Sequence, residues 1–281
     1  MRSDNTRRLP SLHHGASYAD HDAYLAQNAR RNAADPDQLF SLGFGLRHWQ
    51  RRFRPGQLRA RLGPAPRCLI QGSASAGNVQ ALRAFLRGQD IPAPDIHVID
   101  LIDLPSLGQA DGGATFHHAD AADLRDVFGT ASFDLVLQDH LLNCAPFAAY
   151  AAVLGELRRI LRPEGLVLMH YTAPTAFPAA RGEAFIERLA IARSSAHLPL
   201  DRAEAAWLAG MDPAYRLVPS GTRVVMITLP LGNLEFFMPF AELEGLLAAA
   251  GLDPQERHLV PIVDSEGLPC HRHHCLVVPR T

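Results

Sequence analysis

The chain has 281 residues, of which 47% are hydrophobic and 20% charged, and its formal net charge at pH 7 is -2. These values are typical of a globular protein, and the length is sufficient for the hydrophobic core of one α/β domain. The net charge gives no indication of a nucleic-acid partner. All 27 basic residues are arginine, which excludes a Schiff-base lysine, a Walker lysine and the lysine of short-chain dehydrogenases.

Two further features bear on the compartment. No apolar stretch approaches the roughly 20 residues that span a bilayer, and residues 1–15 lack the apolar core of a signal peptide. The four cysteines (Cys68, Cys144, Cys270 and Cys275) are sparse and irregularly spaced, which is not the pattern of a disulfide framework. We therefore expect a cytoplasmic protein with reduced thiols and no membrane partner.

The first 62 residues read as a helical cap placed before the main domain. Spaced apolar residues, among them Leu39, Leu46 and Trp49, predict helices here. A run of arginines follows between positions 51 and 61, and we interpret it as a solvated face. From position 63 the pattern changes to short β-rich runs that alternate with helical segments, which indicates a parallel sheet with crossover helices.

The first unit of this second part is CLIQGSASAGN, from Cys68 to Asn78. A buried strand is followed by a loop of very small residues, and the loop leads into a helix that ends at Gly88. Because Gly72 has no β-carbon, it can adopt an unusual turn, and residues 73–77 can bring the backbone close to a ligand. A dinucleotide needs a second glycine at this loop for its pyrophosphate, so the alanines disfavour a nicotinamide cofactor.

Four more strands follow, and each delivers polar residues to the same edge of the sheet. The carboxyl ends of parallel strands meet at one edge, so these residues are expected to lie near one another. In chain order the edge receives Asp100 after the second strand, Asp120 and Ala121 after the third, Asp139, His140 and Asn143 after the fourth, and His170 and Tyr171 at the fifth.

With these residues the sequence resembles the class I S-adenosylmethionine-dependent methyltransferase family. The segments FDLVLQDHLLN and LRRILRPEGLVL carry the resemblance, which covers about residues 66–172 and resumes near the C-terminus with a last helix and strand pair. The resemblance implies a Rossmann-like, doubly wound α/β sheet of seven strands whose last strand is antiparallel. It also implies N-terminal helices, an inserted lid at residues 173–234 and S-adenosylmethionine as the cofactor.

The resemblance further implies where the cofactor would lie. Gly72, Ser73, Ala74 and Gly77 would line its methionine side, and Asp100 would hold the ribose. Asp120 and Ala121 would address the adenine edge, with Asp139 and His140 close to the methionine end and the adenine wall. Two differences from the family pattern are Ile70, where an acidic residue is usual, and the spacing from Gly72 to Asp100, which is long enough that Asp103 is an alternative ribose ligand.

The resemblance also suggests the kind of acceptor. In small-molecule methyltransferases an insertion of this length, together with the N-terminal helices, closes a pocket over the acceptor, so we expect a small metabolite. Five aromatic residues are candidates for the pocket wall or for ordinary core: Phe177, Trp207, Tyr215, Phe236 and Phe237.

Four residues are candidates for the chemistry itself. His140 and His170 stand at strand exits and titrate near neutral pH, so either can act as a base or as a hydrogen-bonded wall residue. Asn143 and Tyr171 can orient the substrate, and a tyrosine face attracts a sulfonium cation.

The cluster CHRHHC, from Cys270 to Cys275, suggests a different chemistry. On a strand, His271, His273 and Cys275 share one face and offer three zinc ligands. The spacing matches no closed structural zinc pattern, so we predict a last strand with no metal.

Two other functions remain open at this point. The same fold serves azetidine-2-carboxylate synthases, in which the amine of S-adenosylmethionine attacks its own γ-carbon and methylthioadenosine leaves. A non-catalytic protein that binds the cofactor without turnover is the other. Oligomeric state is not indicated by the sequence.

Overall fold

The computed structural model describes residues 42–72, 76–100, 113–175, 215–220, 223–228, 233–263 and 269–280. Within these ranges the helices are α1 (Leu42–Gln50), α2 (Gln57–Leu62), α3 (Ala76–Arg87), α4 (Leu141–Cys144), α5 (Tyr150–Ile160) and α6 (Phe240–Ala249). The strands are β1 (Arg67–Gln71), β2 (Asp95–Asp100), β3 (Ala114–His118), β4 (Phe133–Asp139), β5 (Leu161–Pro174), β6 (Tyr215–Ser220), β7 (Arg223–Thr228), β8 (Asn233–Phe237), β9 (Leu252–Val263) and β10 (Pro269–Pro279).

Seven strands form the main sheet in the order β3-β2-β1-β4-β5-β10-β9. Strands β1 to β5 are parallel, and β10 lies antiparallel between β5 and β9. The predicted doubly wound sheet with an antiparallel last strand is therefore confirmed. Since β1 and β4 are central neighbours, the residues that follow them meet in the middle of the carboxyl edge.

Two apolar layers cover the sheet because successive strand residues point to opposite faces. On one face α1, α2 and α3 pack against alternate residues of β1 and β4, such as Ile70 and Leu137. On the other face α5 and α6 pack against the residues between them, such as Leu69 and Val136. Leu46 and Trp49 of α1 are buried in the first layer, as the spacing of the N-terminal apolar residues predicts.

The helix α5 ends at Ile160. Leu161 has φ -79° and ψ 132° and begins β5. Pro163 disfavours helical geometry at Arg162, the residue before it, which agrees with the end of the helix at this point.

A second sheet, of three antiparallel strands in the order β6-β7-β8, follows β5 in the chain. It occupies the second part of the predicted insertion and extends to Phe237. Sequence analysis did not predict these strands, although the run VVMIT at positions 224–228 is rich in β-branched residues. Among the helices of the described ranges, none is long and apolar enough to cross a membrane.

Candidate functional site

The exit of β1 makes the turn that the small-residue loop predicts. Gly72 has φ 73°, in the left-handed region that residues with a β-carbon avoid, and its N–H donates to Ile99 O at 3.2 Å. A β-carbon at this position would contact Leu141 Cδ1 at 3.4 Å. Gly77 is exposed in the first turns of α3, whereas Ser73 and Ala74 lie outside the described residues.

Two carboxylates stand at the carboxyl ends of β2 and β3, the two strands on one side of β1. Asp100 ends β2 half-buried, opposite His118 of β3 in the strand register. Beyond β3, Asp120 Oδ1 accepts a hydrogen bond from Ala122 N at 2.8 Å, while Ala121 is buried in the core. Asp103 lies outside the described residues. This edge therefore offers acceptor oxygens, which suit the hydroxyl and amino groups of a ligand better than a phosphate.

The carboxylate of Asp139 belongs to a buried charge network at the end of β4. Its Oδ1 accepts hydrogen bonds from His170 Nδ1 and from the Arg272 guanidinium, each at 2.9 Å, and all three side chains are fully buried. Burial alone would raise the pKa of Asp139, but the His170 hydrogen bond and the Arg272 charge outweigh it and hold the pKa below its ordinary value. Asp139 is thus occupied inside the protein by two partners.

His170 is enclosed by the N-terminal helix α1. A β-carbon on Gly45 would lie 1.9 Å from His170 Cε1, so the imidazole ring rests directly on the backbone of α1. Burial lowers the pKa of His170, although the hydrogen bond to Asp139 opposes the shift. The structure therefore places His170 as a neutral ring that joins α1 to the network, and Gly45 and Arg272 are partners that sequence analysis missed.

His140 stands where the chain turns out of β4. Its backbone has φ 53° and ψ 10°, an unusual conformation for a residue with a β-carbon, and such outliers concentrate at functional sites. The side chain is 15% exposed, and its Nδ1 lies 3.2 Å from Thr172 Oγ1 and 3.4 Å from Asn143 Oδ1. Burial, assisted by the charge of Arg272, lowers the pKa of His140 to about 3, so the ring is neutral near pH 7.

The other two candidates direct their polar atoms into the protein. Asn143 is 2% exposed and bonds the backbone of Thr172 and Phe236. Tyr171 is buried on the opposite face of the sheet from His170, and its hydroxyl bonds the backbone of Met238. Of the five aromatic candidates, Phe236 and Phe237 are both buried, Phe177 and Trp207 lie outside the described residues, and only the backbone of Tyr215 is described.

The CHRHHC stretch forms part of β10, as predicted. The ring of His273 stacks on Phe240 at a centroid distance of 4.6 Å, and Cys275 packs in the core. In the part of the chain that the structure describes, no group of three or more His, Cys, Asp or Glu side chains is arranged to hold a metal ion.

We expect the neutral, largely buried ring of His140 to make the fold sensitive to acid. The pKa of His140 is about 3 in the fold and near 6.5 in the unfolded chain, so between these values only the unfolded chain binds the proton. Stability contributed by this neutral ring is present above pH 6.5 and is lost as the pH falls towards 3. His140→Gln should reduce the slope of unfolding free energy against pH by up to about 1.4 kcal/mol per pH unit in this window, measured by urea titration. An unchanged slope would contradict the burial of the ring.

Comparison with known proteins shows a similarity to one kind of domain. Residues 73–169 match the family model described as a methyltransferase domain. The sequence matches none of the curated proteins.

Two solved structures share the fold. One is Burkholderia thailandensis 1,6-didemethyltoxoflavin-N1-methyltransferase with bound 1,6-didemethyltoxoflavin and S-adenosylhomocysteine, at 18% identity and a TM-score of 0.50, covering 95% of this chain and 92% of that chain. The other is a TehB-like SAM-dependent methyltransferase from Corynebacterium glutamicum, at 14% identity and a TM-score of 0.50, covering 93% of this chain and all (100%) of that chain. Residues 73–169 thus resemble a methyltransferase domain, and the chain has the seven-stranded, Rossmann-like fold of these two S-adenosylmethionine-dependent methyltransferases.

Proposed function

We propose that the protein is an S-adenosylmethionine-dependent methyltransferase that acts on a small metabolite by direct in-line displacement. The observation that carries this proposal is the left-handed turn at Gly72, which directly follows the central strand and stands beside Asp100 at the end of the neighbouring strand. At Gly72 a ligand could approach the backbone closely, and beside it the carboxylate of Asp100 could accept hydrogen bonds from the hydroxyl groups of that ligand.

The residues of this edge fit S-adenosylmethionine. Asp100 would accept hydrogen bonds from the ribose hydroxyls, and Asp120 and the backbone near Ala121 would face the adenine. The loop from Gly72 to Gly77 would support the methionine part, with Ser73 and Ala74 included. When bound, S-adenosylmethionine supplies an electrophilic methyl group on a sulfonium ion. No phosphate has to be bound, which agrees with an edge lined by carboxylates.

The chemistry at His140 limits the kind of acceptor. A ring whose pKa is lowered to about 3 is a weak base, so it accepts a hydrogen bond from the acceptor more readily than it removes a proton. The nucleophile would then be a neutral nitrogen or sulfur, or a group that is already acidic. Most of the rate would come from holding this atom in line with the methyl group, about 3 Å away.

A small acceptor is favoured by the extent of the likeness to 1,6-didemethyltoxoflavin-N1-methyltransferase. That enzyme overlaps 95% of this chain and holds 1,6-didemethyltoxoflavin in its structure. In this chain the three-stranded sheet β6-β7-β8 is present in addition to the seven-stranded sheet. Its strand β8 lies beside the end of β4, where Asn143 contacts Phe236. We therefore propose that the chain between β5 and β8, together with α1, closes the acceptor pocket.

The experiment that tests the proposal incubates the purified protein with S-adenosylmethionine alone and identifies the products by mass spectrometry. Intact S-adenosylmethionine, which is consumed only when small acceptors are added, would support methyl transfer. Accumulating methylthioadenosine together with azetidine-2-carboxylate would overturn it in favour of ring closure. No contact among the described residues favours that second reaction.

Asp100 provides a direct test of cofactor binding. We expect Asp100→Ala to weaken the binding of S-adenosylhomocysteine by about 2–3 kcal/mol, or about 30-fold to 150-fold in Kd, because two hydrogen bonds to a charged acceptor are lost. Isothermal titration calorimetry measures the change. Asp95→Ala is the matched control, since Asp95 lies exposed at the opposite end of the same strand. Equal affinities for Asp100→Ala and Asp95→Ala would remove Asp100 from the ribose site.

A further inference from the structure

The side chain of Asn143 takes the place of a missing strand neighbour. Pairing between β4 and β5 stops at Asp139 and His170, while β5 continues to Pro174. Just past this point, Asn143 Nδ2 donates to Thr172 O at 2.8 Å, and Asn143 Oδ1 accepts from Thr172 N at 2.9 Å. The amide thus bonds both backbone groups of one residue, as a paired strand does.

The same amide also contacts β8, the strand that leads from the predicted insertion to α6. Asn143 Nδ2 also lies 3.2 Å from Phe236 O in β8, an oxygen that accepts from Tyr150 Oη at 3.2 Å as well. Met238 lies two residues after Phe236. Its N–H donates to Tyr171 Oη at 2.6 Å, and Tyr171 Oη donates to Met238 O at 3.0 Å. Three buried side chains therefore clamp the backbone of residues 236–238 against the ends of β4 and β5.

His140 is linked to this clamp through its ring. Asn143 Oδ1 can only accept, and it lies 3.4 Å from His140 Nδ1, with Thr172 Oγ1 at 3.2 Å from the same nitrogen. A protonated Nδ1 can donate to both oxygens. An unprotonated Nδ1 would instead place its lone pair against the lone pairs of Asn143 Oδ1, which is unfavourable. The clamp therefore favours the tautomer that carries its proton on Nδ1.

We propose that Asn143 is a positioning residue of the transfer site, which fixes the return strand β8 and the tautomer of His140 through one amide. The part that His140 and β8 play in methyl transfer rests on the proposed function. The positioning itself is a property of the chain alone, so it can be measured without an acceptor. Asn143 thus acts on the acceptor pocket without contacting the substrate.

Two variants separate positioning from simple packing. Asn143→Asp keeps the shape of the side chain but loses both donated hydrogen bonds and puts a carboxylate beside His140 Nδ1. Asn143→Leu removes the polar contacts without adding a charge. In both variants, hydrogen exchange measured by mass spectrometry should become at least about tenfold faster in peptides that cover residues 233–239, because about one hydrogen bond's free energy is lost there. Peptides from β1 and β2 serve as the internal control.

The second measurement follows the His140 ring by NMR in protein labelled with ¹³C-histidine, with the signal assigned from its absence in His140→Gln. We expect Asn143→Asp to raise the titration midpoint of His140 by about one pH unit or more, since the new carboxylate favours the protonated ring. Asn143→Leu should not raise it. The ring signals of His97 and His117, which lie on β2 and β3, report whether the variants are folded.

The outcomes are distinct. Unchanged exchange at residues 233–239, or an equal His140 midpoint in wild type and Asn143→Asp, would overturn the positioning role. Binding of S-adenosylhomocysteine is measured separately on the wild-type protein, and its absence would overturn the proposed function while leaving the clamp intact.

Discussion

Replacing Arg272 with methionine is expected to lower the free energy of unfolding by about 3–5 kcal/mol, because the carboxylate of Asp139 then stays buried without its cationic partner. The Arg272 guanidinium lies 2.9 Å from Asp139 Oδ1, and neither side chain is exposed. Urea unfolding at neutral pH measures the change.

Two further variants define the origin of this loss. Adding Asp139→Asn to Arg272→Met removes the unpaired charge and leaves an amide oxygen that still accepts from His170, so much of the lost stability should return. Arg125→Met is the matched surface control, since the Arg125–Asp123 pair is largely exposed, and no measurable change is expected. If Arg272→Met were no worse than Arg125→Met, the buried network would not contribute as described.

Gly45→Ala is expected to destabilise the protein by about 1–3 kcal/mol, because the added methyl group would overlap the His170 ring at 1.9 Å and force α1 away from the sheet. The displacement should also weaken the His170–Asp139 hydrogen bond. Thermal and urea unfolding measure the loss.

The chain offers two matched controls for this substitution. Gly155 in α5 and Gly245 in α6 are also helical, but a β-carbon on either meets no atom within 4 Å. Alanine at these positions should therefore stabilise by about 0.5–1 kcal/mol through helix propensity alone. A Gly45→Ala variant as stable as Gly155→Ala would mean that α1 does not pack on His170 in solution.

Local patterns in the sequence predict much of the fold. The apolar run at Cys68–Ile70 and the spacing of Val79, Leu82 and Phe85 correspond to β1 and α3. A continuous buried run in a central strand and a period of 3.6 residues in a helix leave such marks within a few residues, so a single sequence is enough to read them. The three-stranded sheet was not predicted because a short apolar run such as that of β7 cannot be told from a buried helical segment by periodicity alone.

The contacts inside the candidate site could not be read in the same way. Asp139 and Arg272 are 133 positions apart, and their pairing depends on β10 lying beside β5. Sequence spacing predicted that Asp139, His140 and His170 would meet at one edge, and they do meet. What it could not predict is that Asp139 and Asn143 satisfy partners within the protein, since this depends on side-chain direction and burial. Arg272 is the one Arg, Lys, Asp or Glu residue of β10, and this was the visible signal.

Methyl transfer to a small acceptor is best tested with S-adenosylmethionine that carries a deuterated methyl group. The wild-type protein is mixed with the small-molecule fraction of a cell extract, and the products are analysed by mass spectrometry beside the Asp100→Ala variant. We expect a deuterated methyl group on a small compound, together with S-adenosylhomocysteine, in the wild-type sample and far less in the variant. Methylthioadenosine in place of S-adenosylhomocysteine, or equal products from both proteins, would contradict it.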